Sequence, residues 1–164
     1  MLLAIDPGTR ESAWVLMDDE LRPVEYAIED NERVLNLVGT MQYKSLAVEW
    51  VTNYGANVGA DVFQTVYWIG RFCERAMERG IIPLRIARRD VKKNLKLPMK
   101  AKDGDVMRAL IKRFGGRKSK DNPNGFFPPD KSGWGTHLWQ AYAVGATFAD
   151  SLPFDDVEEE DGAV

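Results

Sequence analysis

Two carboxylates stand at the ends of two short apolar runs. Asp6 follows Leu2, Leu3 and Ile5, and Glu49 follows Leu46, Ala47 and Val48. An acid placed that close to an apolar interior is costly to ionise unless it is paired, hydrogen-bonded or bound to a cation. Either acid alone reads equally well as a hydrogen-bonding group at a strand end. The two together favour a cation, and hard oxygen donors suit Mg²⁺ or Mn²⁺. His137, the one histidine, lies near the start of a late apolar segment. A helix packed beside the first run would aim it at the same pocket, although a lone histidine also serves purely structural ends.

A second set of residues suits a polyanion. Positions 85 to 120 hold fourteen Lys or Arg against three Asp. Such a block is either a phosphate-binding surface or a solvated helical face. Arg88, Arg89, Lys92, Lys93 and Lys102 are the candidates for phosphate contacts. Tyr54, in a Gly- and Asn-containing loop just after Glu49, could stack on an unpaired base or pack its own loop. Phe126-Phe127 is a rival wedge for the same task.

Positioning these groups requires strands that end on the acids. Residues 2–6 read as a buried strand broken by Pro7-Gly8, 12–17 as a second strand and 22–28 as a third, an antiparallel meander. Asp30 is placed to cap a helix reaching about residue 41, and 45–49 is another buried strand. A long amphipathic helix is predicted over 60–79, stopping at Gly80. Pro83 marks 81–86 as an edge strand, followed by a short basic helix over 87–95. Asp103 or Asp105 can cap a helix ending at Gly115-Gly116. Residues 115–133 form a long Gly-, Pro- and Lys-rich loop, and 134–148 a closing apolar helix. The order gives an α/β fold, a mixed five-stranded sheet flanked by helices, with both acids at the carboxyl ends of strands, where such sheets bind ligands.

The bulk properties set outer limits. A chain of 164 residues with 45% hydrophobic content is one domain with a single core. The net charge of −3 hides a segregation: the last ten residues carry six acids, and the other 154 hold 22 basic against 19 acidic side chains. We therefore divide the chain into a folded domain over 1–152 and an acidic tail over 153–164, whose composition predicts disorder. With Cys73 the one cysteine, a disulfide framework and a cysteine-based zinc site are excluded. No run nears the roughly 18–20 apolar residues of a membrane span, and no secretory signal is read at the start. The expected location is the cytoplasm.

These motifs resemble a known family. Ile5-Asp6-Pro7-Gly8-Thr9 resembles the opening strand of RuvC-type Holliday-junction resolvases, where an Asp-Pro-Gly-Ser/Thr turn carries the first metal acid. Residues 46–49 are similar to that family's second acidic strand, and 86–93 to its strand followed by a basic, Val-containing helix. Residues 136–143 look like its last helix. Tyr54-Gly55, Val58-Gly59 and 66–72 look especially like the shorter resolvase-like proteins of bacteriophages. The resemblance covers residues 1 to about 150, apart from the 115–133 loop, and four motifs in order are fairly specific.

The resemblance implies a ribonuclease-H-like fold and metal-dependent cleavage of branched DNA, leaving 5′-phosphate and 3′-hydroxyl ends. It implies two divalent ions per site, held by Asp6, Glu49 and His137, and a homodimer formed through the 60–79 helix. A phage-encoded relative would work in the bacterial host cytoplasm. One departure stands out. Where the family often supplies a second acid on the last helix, this chain has Gln140, which offers a carbonyl oxygen but no charge. Either His137 does more, or another acid such as Asp105 helps, or cutting is weakened or lost. Two rival readings follow: a junction-binding protein without cleavage, and a phosphate-binding ATPase domain of the actin-like and sugar-kinase type. The latter use two such domains, and this chain is too short for both.

Overall fold

The computed structural model describes residues 1–52, 55, 58–116, 118–123, 125–127 and 134–152; Tyr54 and the acidic tail lie outside them. Strands β1 (Leu2–Asp6), β2 (Glu11–Met17) and β3 (Pro23–Asp30) form the antiparallel meander. Helix α1 (Asn31–Thr40) leads to β4 (Ser45–Trp50), which pairs parallel with β1. Helix α2 (Ala60–Met77) leads to β5 (Leu84–Ala87), parallel to β4. Helices α3 (Arg88–Asn94), α4 (Asp103–Phe114) and α5 (Trp134–Ser151) complete the chain. The sheet order is β3-β2-β1-β4-β5, so β5 occupies an edge, as Pro83 predicts.

Side chains alternate across a strand, and that alternation decides where the acids point. Leu3, Ile5, Leu46 and Val48 pack with α1 and α2 on one face of the sheet. Leu2, Ala4 and Ala47 pack on the other, beneath α5. Two residues beyond Ala4 and two beyond Ala47 are Asp6 and Glu49, so both acids share the α5 face. A slip of one residue in either strand would bury one of them against α2 instead.

Helix α5 lies on the centre of the sheet. Gly145 is the reason it approaches so closely: a Cβ there would sit 3.0 Å from the Cβ of Ala4 and 2.1 Å from the Met17 methyl. The long loop before α5 corrects one expectation. Phe127 is fully buried, its ring 4.9 Å from those of Tyr26 and Trp139, and Phe126 stacks on Trp139 at 6.3 Å. Backbone bonds from Lys118 N–H to Phe127 O and from Phe126 N–H to Gly116 O close the loop onto this cluster. These rings fill the gap between α4, α5 and β3 and are core residues, not a DNA wedge. Asp30 precedes α1 without capping it through its side chain.

Candidate active site

The turn that carries Asp6 is held by a small buried network. Gly8 is mandatory there, because a Cβ would lie 2.3 Å from the carbonyl oxygen of Glu11. The Gly8 N–H donates to Ser12 Oγ at 3.3 Å, Ser12 Oγ–H donates to Asn31 Oδ1 at 2.5 Å, and Asn31 Nδ2 donates to Gly8 O at 3.0 Å. Asn31 N–H also donates to Arg10 O at 2.9 Å. Ser12 and Asn31 are both 1% exposed. Neither was singled out from the sequence; the signal available was a polar side chain near the start of β2 and another at the start of α1.

Asp6 and Glu49 are brought together. In the β1–β4 register Ile5 faces Val48, which sets the next residues, Asp6 and Glu49, side by side. Their carboxyl groups are within hydrogen-bonding reach, and each is 14% exposed. Burial first, and then the neighbouring Asp6 carboxyl, push the Glu49 pKa well above the ordinary carboxylate range, with Arg88 acting the other way. His137, in the first turns of α5, places Nδ1 3.1 Å from Asp6 Oδ2 and keeps an exposed ring. The hydrogen bond to Asp6 raises the His137 pKa, partial burial opposes this, and Asp6 and Asp103 add favourable charge. The three groups expected to meet do meet.

Gln140, one turn further along α5, is 2% exposed. Its Nε2 donates to the backbone carbonyl of Asp103 at 3.3 Å, which fixes the sense of the amide, and its Oε1 has no partner. Two touching carboxylates, one with a raised pKa, an adjacent imidazole and an unpartnered buried oxygen fit a hard divalent cation. Among the described residues no group of three or more His, Cys, Asp or Glu side chains is placed to hold a metal ion as it stands, so Asp6, Glu49 and His137 would have to draw together around one.

Two assignments are corrected here. Asp105 is committed elsewhere: its carboxylate accepts the Lys102 N–H at 2.7 Å and pairs with Arg108 at 2.6 Å, so it caps α4. The acid that faces the site is Asp103. Arg88 is not on the open basic face either. It begins α3 directly after β5, and its guanidinium reaches Glu49 Oε1 at 3.3 Å and the Asp103 carboxylate. Arg89, Lys93 and Lys102 are exposed, and Lys92 donates to Met99 O at 2.7 Å.

Solved structures share this arrangement of elements. The chain is similar to Thermus thermophilus RuvC, 19% identical with a TM-score of 0.61, the match covering 90% of this chain and 92% of that one. The same protein in complex with a Holliday junction substrate matches at 18% identity and a TM-score of 0.63, over 90% and 91%. The fold is that of the RuvC-like resolvases. The RuvC-like fold also matches a Fowlpox virus resolvase in complex with its substrate Holliday junction DNA, 10% identical with a TM-score of 0.54, over 93% and 100%. No family model and no curated protein sequence matches the chain. No helix among the described residues is long and apolar enough to cross a membrane.

Proposed function

We propose that this chain is a divalent-metal-dependent endonuclease that cuts branched DNA, four-way junctions in particular. The observation that carries the reading is the Asp6–Glu49 pair: two touching, mostly buried carboxylates at adjacent strand ends, costly without a cation. Two proteins of the same fold are seen with Holliday junction DNA. Asp6, Glu49 and His137 would hold Mg²⁺ or Mn²⁺, two ions per site, with the Gln140 carbonyl oxygen nearby. Bound there, such ions supply a water of lowered pKa and charge stabilisation for a departing 3′ oxygen.

The residues of the chain divide the remaining work. Asp6 sits on a turn fixed by Gly8, Ser12 and Asn31. His137, exposed beside Asp6 and with a raised pKa, is placed to hold or release a proton at Nδ1. Arg89, Lys92, Lys93 and Lys102 would meet phosphates, and Tyr54 would stack on a base at the crossover. A four-way junction has approximate two-fold symmetry, which a homodimer matches. The outer face of α2 is suited to form it: Phe63 is 68% and Tyr67 55% exposed, whereas Trp68 and Phe72 of the same helix are buried in the core.

The test is direct. Purified protein given a labelled four-way junction with Mg²⁺ or Mn²⁺ should nick it, and Asp6→Asn should abolish cutting while still shifting the junction in a gel. Normal cutting by that variant would refute the assignment. Gln140 favours one second reading, a junction-binding protein that does not cut, which the same assay detects as binding without product.

A further inference from the structure

Asp103 is tied to the site at both of its ends. Its side chain shares the Arg88 guanidinium with Glu49, and its backbone carbonyl accepts Gln140 Nε2 from the helix that also carries His137. It is the residue Gln140 reaches for at the position where an acid was expected. The buried Oε1 at the other end of that amide has no partner. The site therefore has an unused buried oxygen and, bridged across it, two acids sharing one cation.

Charge decides what such an arrangement is for. Asp6 and Glu49 bring at most two negative charges, few for a pair of divalent ions, and Gln140 adds none. Asp103 would bring a third. Arg88 supplies a fixed single positive charge wherever it lies. Its side chain is 25% exposed and that of Asp103 is 54% exposed, so both can move without unpacking the core.

Resting on the metal-dependent reading above, we propose that Asp103 is the third acid of the cation site and that Arg88 is its stand-in cation. When loaded, Glu49 and Asp103 would exchange the Arg88 guanidinium for a divalent ion. The freed Arg88, at the head of the basic helix α3, turns to the DNA backbone. No covalent change is involved; one cation replaces another, and the protein gains a phosphate contact only when metal is bound.

The test is Mn²⁺ binding to the full chain without DNA, followed by titration calorimetry and by the electron paramagnetic resonance signal of bound Mn²⁺. Asp103→Asn should weaken binding by roughly tenfold or more, since even residues that only support metal ligands cost about 10- to 100-fold when changed. Asp103→Glu should recover most of it, which a mere helix-end role would not require. Arg88→Ala should tighten binding several-fold by removing the competitor. Asp105→Asn should leave the Mn²⁺ affinity unchanged. Wild-type affinity in Asp103→Asn, or weaker binding in Arg88→Ala, overturns the proposal. If the wild type takes up no Mn²⁺ at millimolar concentration, the metal reading falls and this one with it. If Mn²⁺ binds as described but no junction is cut, the nuclease reading alone fails.

Discussion

Helices α2 and α5 are both eighteen residues long and lie on opposite faces of one sheet, yet they break the rules of burial in opposite ways. Along α5, residues Leu138 to Thr147 are buried on nearly every side, and the exceptions in kind are polar ones, Gln140 and, towards the far end, Thr147. Along α2 one stripe enters the core through Trp68, Ile69, Phe72, Cys73 and Ala76, and the exceptions are apolar ones facing outward: Phe63, Val66, Tyr67 and Met77. A buried polar group and an exposed apolar stripe are the two observations that carry information, since buried apolar and exposed polar residues are the default. The first belongs to the proposed cation site. The second belongs to the proposed dimer face.

Substitutions can test how far that contrast holds. Phe127→Ala, on the α5 side, should cost about 3–5 kcal/mol in urea unfolding, as expected for a large aromatic removed from a packed core. A loss below about 1 kcal/mol would show that the loop cluster is not part of the core. Gly145→Val should cost about 1–3 kcal/mol by overpacking α5 against Ala4 and Met17. Asp150, which accepts two bonds from Arg113 at 2.5 and 2.7 Å and one from Asn94 at 2.8 Å, ties the end of α5 to α4 and α3. Arg113 is 41% exposed, so Asp150→Asn should cost below about 1 kcal/mol after allowing for solvent screening.

That last effect has a signed pH dependence. The Arg113 hydrogen bonds hold the Asp150 carboxyl below its ordinary 3.8. Its contribution is therefore present above pH 3.8 and is lost as pH falls through the lower folded value. The difference between wild type and Asp150→Asn should shrink in that acid window and nowhere else. On the α2 side, Phe63→Ser should change monomer stability by less than about 0.5 kcal/mol, the usual range for surface sites. If the proposed homodimer forms through α2, the same variant should shift its sedimentation from dimer to monomer. A large fall in stability would place Phe63 in the core and erase the contrast between the helices.

The site was partly legible in the sequence because strands have a period of two. Asp6 and Glu49 each close an apolar run, and their spacing from Ala4 and Ala47 puts both on one face. His137 could be placed only with the assumption that the last helix crosses β1, which it does. Arg88 was unreadable for a different reason. Within a run of basic residues nothing local distinguishes it, and its two acids come from 39 and 15 residues away. The choice between Asp103 and Asp105 turns on helix rotation: both fit the first turn of α4, and only coordinates show which carboxylate faces the site. Phe126 and Phe127 were misread because the composition around them is that of a surface loop, while the space they fill is created by α4, α5 and β3 together.

The triangle of Gly8, Ser12 and Asn31 makes three distant positions interdependent. Each member satisfies a buried or partly buried partner, so changing one leaves the others short of a hydrogen bond. A double replacement at 12 and 31 by apolar groups should therefore cost less than the sum of the two single replacements, since each single orphans the partner that the double removes with it. Lineages of this protein would be expected to keep Gly8 and to carry Ser12 and Asn31 unchanged or to change those two together, a linked inheritance that has nothing to do with touching substrate.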